Sequence, residues 1–86
     1  MPELSRFFGI VITMYARDHQ PAHFHARYGE DEVLIEIETS RVLRGMLPRR
    51  GLAMVEEWCE LHRPELRAAW DSLRRGTGPD KIAPLE

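Results

Sequence analysis

Three of the chain's four histidines, His19, His23 and His25, fall in the run Asp18-His19-Gln20-Pro21-Ala22-His23-Phe24-His25. Neutral imidazole is a ligand for borderline metals and an acid–base group near neutral pH. Either use needs several rings brought together, and this run brings them together locally. Three readings fit, two of them chemical. In the first, His23 and His25 project from one side of a strand, about 6–7 Å apart, and converge on a metal with His19 as the third ligand. Three His ligands and an open fourth position suit zinc or another divalent transition metal, with Asp18, Glu36 or Glu38 orienting a ring or adding a ligand.

The second chemistry is metal-free acid–base work on RNA. One of His23 and His25 takes the proton from a 2′-hydroxyl, and the other protonates the leaving oxygen. Arg27 stabilises charge growing on the phosphate. Arg41, Arg44, Arg49 and Arg50 hold the nucleic-acid backbone, and the carboxylates of a neighbouring acidic strand oppose it. In the third reading the histidines do no chemistry and simply hydrogen-bond Glu36 or Glu38 across strands.

These residues need a scaffold, and the pattern supplies one. Strands are expected from about residue 7 to 47. The first is the β-branched and aromatic run Phe8 to Tyr15. Pro21 breaks the chain, and a second strand follows from His23 to Tyr28. Gly29-Glu30-Asp31 is turn chemistry, a third strand runs from Glu32 to Thr39, and a short fourth runs from Arg41 to Leu47. Alternation puts Phe24, Ala26 and Tyr28 on one face of the second strand and His23, His25 and Arg27 on the other. In the third strand Val33, Ile35 and Ile37 oppose Glu32, Glu36 and Glu38.

Helices are expected over about 48–75. Pro48 suits a helix start, and Leu52, Val55, Trp58, Cys59 and His62 form one apolar stripe. Pro64 ends that helix and opens a second, striped by Leu66, Ala69, Trp70 and Leu73. Arg74, Arg75 and Gly76 form its stop. Trp58 and Trp70 read as core anchors, Cys59 as an inert small hydrophobe and His62 as a core histidine. In the irregular tail, 76–86, Ile82 and Leu85 are placed to fold back onto the core. The fold class is α+β: a small antiparallel β-meander of three or four strands, covered on one face by two C-terminal helices.

Composition narrows the classes. The 86 residues fit one domain over 1–86. A net charge of −2 argues against nucleic-acid binding by charge alone. The bias towards Arg, with Lys81 the sole Lys, offers forks suited to phosphate and carboxylate, and also fits a GC-rich genome. The single Cys59 forbids an intrachain disulfide. No leader or apolar span is evident, so a soluble cytoplasmic protein with no membrane partner is expected.

The chain resembles a bacterial family, domain of unknown function 4160. The resemblance runs through Met1-Pro2-Glu3-Leu4-Ser5-Arg6-Phe7-Phe8-Gly9, the segment from Asp18 to Gly29, and Leu47-Pro48-Arg49. It continues through Glu57-Trp58, Leu61-His62, Glu65-Leu66 and Trp70. Gln20 and Ala22 stand where that family would have Asn and Pro, and Gly51 where it would have Ala. Proteins of this kind are often encoded beside a small partner of the domain of unknown function 2442 family, an arrangement that resembles a toxin–antitoxin pair. The resemblance implies an operon-encoded protein partner and assigns no reaction. The expected function is a small cytoplasmic component of such a pair, with a site of His23, His25 and Arg27 acting on RNA, or of His19, His23 and His25 binding a metal. The alternative is a non-catalytic module that binds the operon partner. Ribonuclease-like and metal-dependent hydrolase activities both remain open.

Overall fold

A computed structural model describes residues 3–86. Five strands precede two helices: β1 (Glu3–Phe7), β2 (Ile10–Thr13), β3 (His23–Tyr28), β4 (Asp31–Glu36), β5 (Val42–Gly45), α1 (Arg49–Leu61) and α2 (Arg63–Arg74). The strands form one antiparallel sheet in sequence order. This is the expected α+β meander with two C-terminal helices, with one difference. The sheet has five strands rather than three or four, because the segment Glu3–Phe7, ahead of the expected first strand, pairs with it, and that strand is trimmed to Ile10–Thr13.

The turn between the two falls at Phe8-Gly9, where both residues have positive φ, 50° and 81°. Two successive residues in the left-handed region make the tight turn whose twist matches antiparallel strands. Glycine takes that conformation freely, whereas a bulky aromatic such as Phe8 rarely does. Phe8 is therefore poor turn chemistry by type, and its ring is left exposed. The third expected strand also ends early, at Glu36 rather than Thr39. The chain turns there through Ser40, at φ 62°, and the Arg63 guanidinium holds the turn by donating to Ile37 O at 2.8 Å and Ser40 Oγ at 2.7 Å.

One face of the sheet is apolar, and the helices cover it. Phe24, Ala26, Val33, Ile35 and Ile37 are buried against Val55, Trp58, Leu66, Ala69 and Leu73. Trp58 joins the layers. Its ring lies 5.5 Å from Phe7 and 5.7 Å from Phe24, and its Nε1 donates to Ala83 O at 2.8 Å. That last bond and Ile82 N to Leu4 O at 2.8 Å bring the tail back over β1, where Ile82 is buried. Truncating a buried Trp of this kind costs about 3–5 kcal/mol. Tyr28, expected on the same apolar face, lies at its far end and is half exposed.

The helix boundaries follow local chemistry. Pro64 occupies the first turn of α2, where its missing N–H has no partner to lose. At the other end Thr77 N donates to Ser72 O and Gly76 N to Leu73 O, with Gly76 at φ 81°. That is a Schellman stop. Among the described residues no helix is long and apolar enough to cross a membrane.

Two glycines give opposite expectations. A Cβ on Gly51, early in α1, would meet only Ile10 Cδ1, at 3.8 Å, in ordinary contact. Gly51→Ala is therefore expected to stabilise the protein by about 0.5–1 kcal/mol, raising its melting temperature by a few degrees. Gly45 has φ 82°, and its Cβ would run into the Glu32 carbonyl. Gly45→Ala should lose more than about 1 kcal/mol. Thermal denaturation checks both, and a lower melting temperature for Gly51→Ala would contradict the packing described. Cys59 is fully buried, and desolvation pushes its thiol above the usual range despite opposing contacts from Ser40 and Arg63. It should react with a thiol reagent far more slowly in the native protein than in denaturant.

Candidate metal centre

The loop between β2 and β3 closes over one end of the sheet and carries Asp18 back to the start of β3. There His23 Nε2 lies 3.2 Å and His25 Nε2 3.0 Å from the same oxygen, Asp18 Oδ2. One ligand atom from each of Asp18, His23 and His25 lies within 4.8 Å of the other two. Two donors each about 2.1 Å from one ion stand roughly 3.0–3.4 Å apart, and the two nitrogen–oxygen distances fall in that range as well as in that of a hydrogen bond.

The far nitrogen of each ring is already committed. His23 Nδ1 lies 2.7 Å from Pro21 O, and His25 Nδ1 lies 3.1 Å from Glu32 Oε2. A carbonyl only accepts, which places a hydrogen on His23 Nδ1; His25 lies between two carboxylates, Glu32 and Asp18, either of which can take its hydrogen. In a neutral ring the His23 Nε2 lone pair then faces the Asp18 carboxylate. That contact is repulsive unless a cation, proton or metal, lies between the two. Backbone or carboxylate support behind the imidazole is the usual outer shell of a metal-bound histidine.

Packing fixes the rings. His23 is 4% exposed, and Trp70 of α2 lies 5.5 Å from it. Tyr15, from the loop, meets His25 edge-on at 4.5 Å. The two imidazoles are 5.5 Å apart between centroids. Burial pushes the Asp18 carboxyl up, but the His25 hydrogen bond and the neighbouring His23 and His25 outweigh it. The net effect holds Asp18 below the ordinary carboxylate range.

The other expected site residues lie further out. His19 is exposed in the same loop, outside the group of three ligand atoms, and lines the open pocket beside it. Arg27 shares the face of His25 but is well exposed, 3.9 Å from Glu32. Arg41, Arg44, Arg49 and Arg50 are exposed along β5 and the start of α1. Glu36 accepts from Thr39 at 2.7 Å, and Glu38 takes a two-pronged bond from Arg67, so neither is bonded to an imidazole.

Glu32, Tyr15 and Trp70 are the contributors that sequence reasoning did not single out for the site. Glu32 was legible in principle. With the two-residue turn Gly29-Glu30, Tyr28 faces Asp31, His25 faces Leu34, and Glu32 becomes the diagonal neighbour of His25 on the same face. Tyr15 and Trp70 reach the histidines through the loop path and the helix placement, which no local pattern encodes.

The whole is a small α+β domain with two imidazoles and a carboxylate gathered at one end of its sheet. The chain matches, over residues 9–71, the family described as a domain of unknown function (DUF4160), and it belongs to that family. No curated protein and no solved structure matches it.

Proposed function

We propose that this chain is a metal-binding protein in which Asp18, His23 and His25 hold one divalent transition metal, zinc or a neighbour of similar ligand preference. One observation carries the reading: both Nε2 atoms converge on a single carboxylate oxygen while both Nδ1 atoms are held from behind. Protons are a poorer answer than a metal. Satisfying all four ring contacts with protons requires two adjacent imidazolium rings, one of them almost wholly buried. A single dication answers all three groups at once.

Three protein ligands leave coordination positions for water or substrate, the arrangement of a catalytic rather than a structural site. A metal there lowers the pKa of bound water and supports hydrolysis, and RNA is a substrate whose phosphates such a centre would polarise. Direct acid–base work by His23 on RNA is less favoured, since its ring is buried and both nitrogens are occupied. Arg27, exposed on the same face, is left to attract the substrate. The resemblance to families encoded in pairs supports a place for the chain in a two-component, toxin–antitoxin-like system with an operon-encoded protein partner.

Metal content of untagged protein purified without chelators, and zinc titration of the stripped protein, test the reading. The wild type should take up one equivalent, and excess zinc should raise its melting temperature by mass action. Asp18→Asn, and His23→Ala with His25→Ala, should lose that uptake while remaining folded by circular dichroism. Glu32→Gln, which loosens the His25 ring, should weaken affinity by about 10–100-fold. Folded wild-type protein that takes up no transition metal contradicts the proposal.

A further inference from the structure

An open pocket of about 430 Å³ adjoins the triad, lined by Ala16, Arg17, Asp18, His19, Gln20 and Arg74. Two arginines therefore line the same pocket as one ligand of the proposed metal, Asp18, while His23 and His25 lie outside its lining. Among the described residues neither Arg17 nor Arg74 has a carboxylate within ion-pair distance. Arg6 and Arg67 are matched, to Glu3 and Glu38, whereas Arg41, Arg44, Arg49, Arg50 and Arg75 are likewise without a carboxylate partner among the described residues, so what sets Arg17 and Arg74 apart is their place beside Asp18.

Arg74 is also held in place. Its Nη1 donates to the Asp18 backbone carbonyl at 3.4 Å, and its guanidinium lies 5.7 Å from the Trp70 ring. That is the indole packed on His23. The pocket and the triad thus share a side chain, Asp18, and a supporting ring, Trp70.

We infer that this pocket takes a phosphate group, anchored by Arg17 and Arg74 and by the metal ion on Asp18, His23 and His25. The inference rests on the metal-binding reading. A tetrahedral phosphate has an oxygen for the ion and others for the two planar forks, which match its geometry. The sign of the local charge makes the ion necessary. Without it, the Asp18 carboxylate in the pocket wall repels an anion. With it, a dication offset by one carboxylate leaves the wall positive. Phosphate affinity is therefore coupled to metal occupancy, and the coupling is reciprocal.

The test uses the full chain loaded with cobalt(II), with cobalt uptake read first from its visible spectrum. Inorganic phosphate is then titrated, and its binding is read by paramagnetic relaxation of the phosphorus NMR signal. Saturable relaxation is expected, with affinity at least about tenfold weaker in Arg17→Gln, Arg74→Gln and their double variant at unchanged cobalt uptake. Zinc-loaded protein should bind phosphate more tightly than stripped protein by calorimetry.

Cobalt uptake without saturable phosphate binding overturns the inference and leaves the metal reading intact. So does binding indifferent to both arginines. Failure to take up cobalt overturns both, and the spectrum distinguishes that case directly. A second arm adds a short single-stranded RNA. Competition with phosphate that both arginines control identifies a backbone phosphodiester as the source, and binding of phosphate without such competition identifies a small phosphate or monoester.

Discussion

The parity of β3 is the constraint on which core and site both depend. Side chains alternate along a strand, so seating Phe24 and Ala26 beneath Trp58 directs His25 and Arg27 to the opposite face. A slip of one residue against β2 or β4 would carry His25 into the core and Phe24 into water. Burial on one face therefore specifies the register strongly. The two-residue turn at Gly29-Glu30 fixes the same register from the other end of the strand and brings Glu32 to His25. A hydrophobic requirement thus sets the position of a polar site, one ring of which, His23, is itself buried against Trp70.

On that frame the loop over the sheet end adds what the strand lacks. It returns a carboxylate to two imidazoles whose outer nitrogens are already bonded, and it supplies Tyr15 as one flank of the site. Trp70 forms the other, from a helix distant in sequence. The consequence is a pair of imidazole nitrogens meeting one carboxylate oxygen, with an outer bond behind each ring. The low-lying Asp18 carboxyl fits this picture, since its partners hold the ionised form against the cost of burial.

Much of this was readable in the chain, for identifiable reasons. Strict alternation marked β3 and the shared face of its histidines, and Pro64 and Gly76 marked the limits of α2. The β1–β2 break was hidden because its turn uses Phe8 at positive φ, a conformation that residue type does not advertise. Ser40 hid the end of β4 in the same way. At the site, adjacency in sequence did not decide between His19 and Asp18 as neighbour to the histidine pair. The loop's path decides that, and it depends on contacts with β3 and α2. Cross-strand partners such as Glu32 follow from register, which needs the turn to be known to the residue.

The most direct measurement is a crystal structure of the zinc-soaked protein with anomalous data at the zinc edge. The account predicts one strong anomalous peak within bonding distance of His23 Nε2, His25 Nε2 and an Asp18 carboxylate oxygen, with both Nδ1 contacts retained. No peak at that position, or a peak bound through either Nδ1, would contradict it.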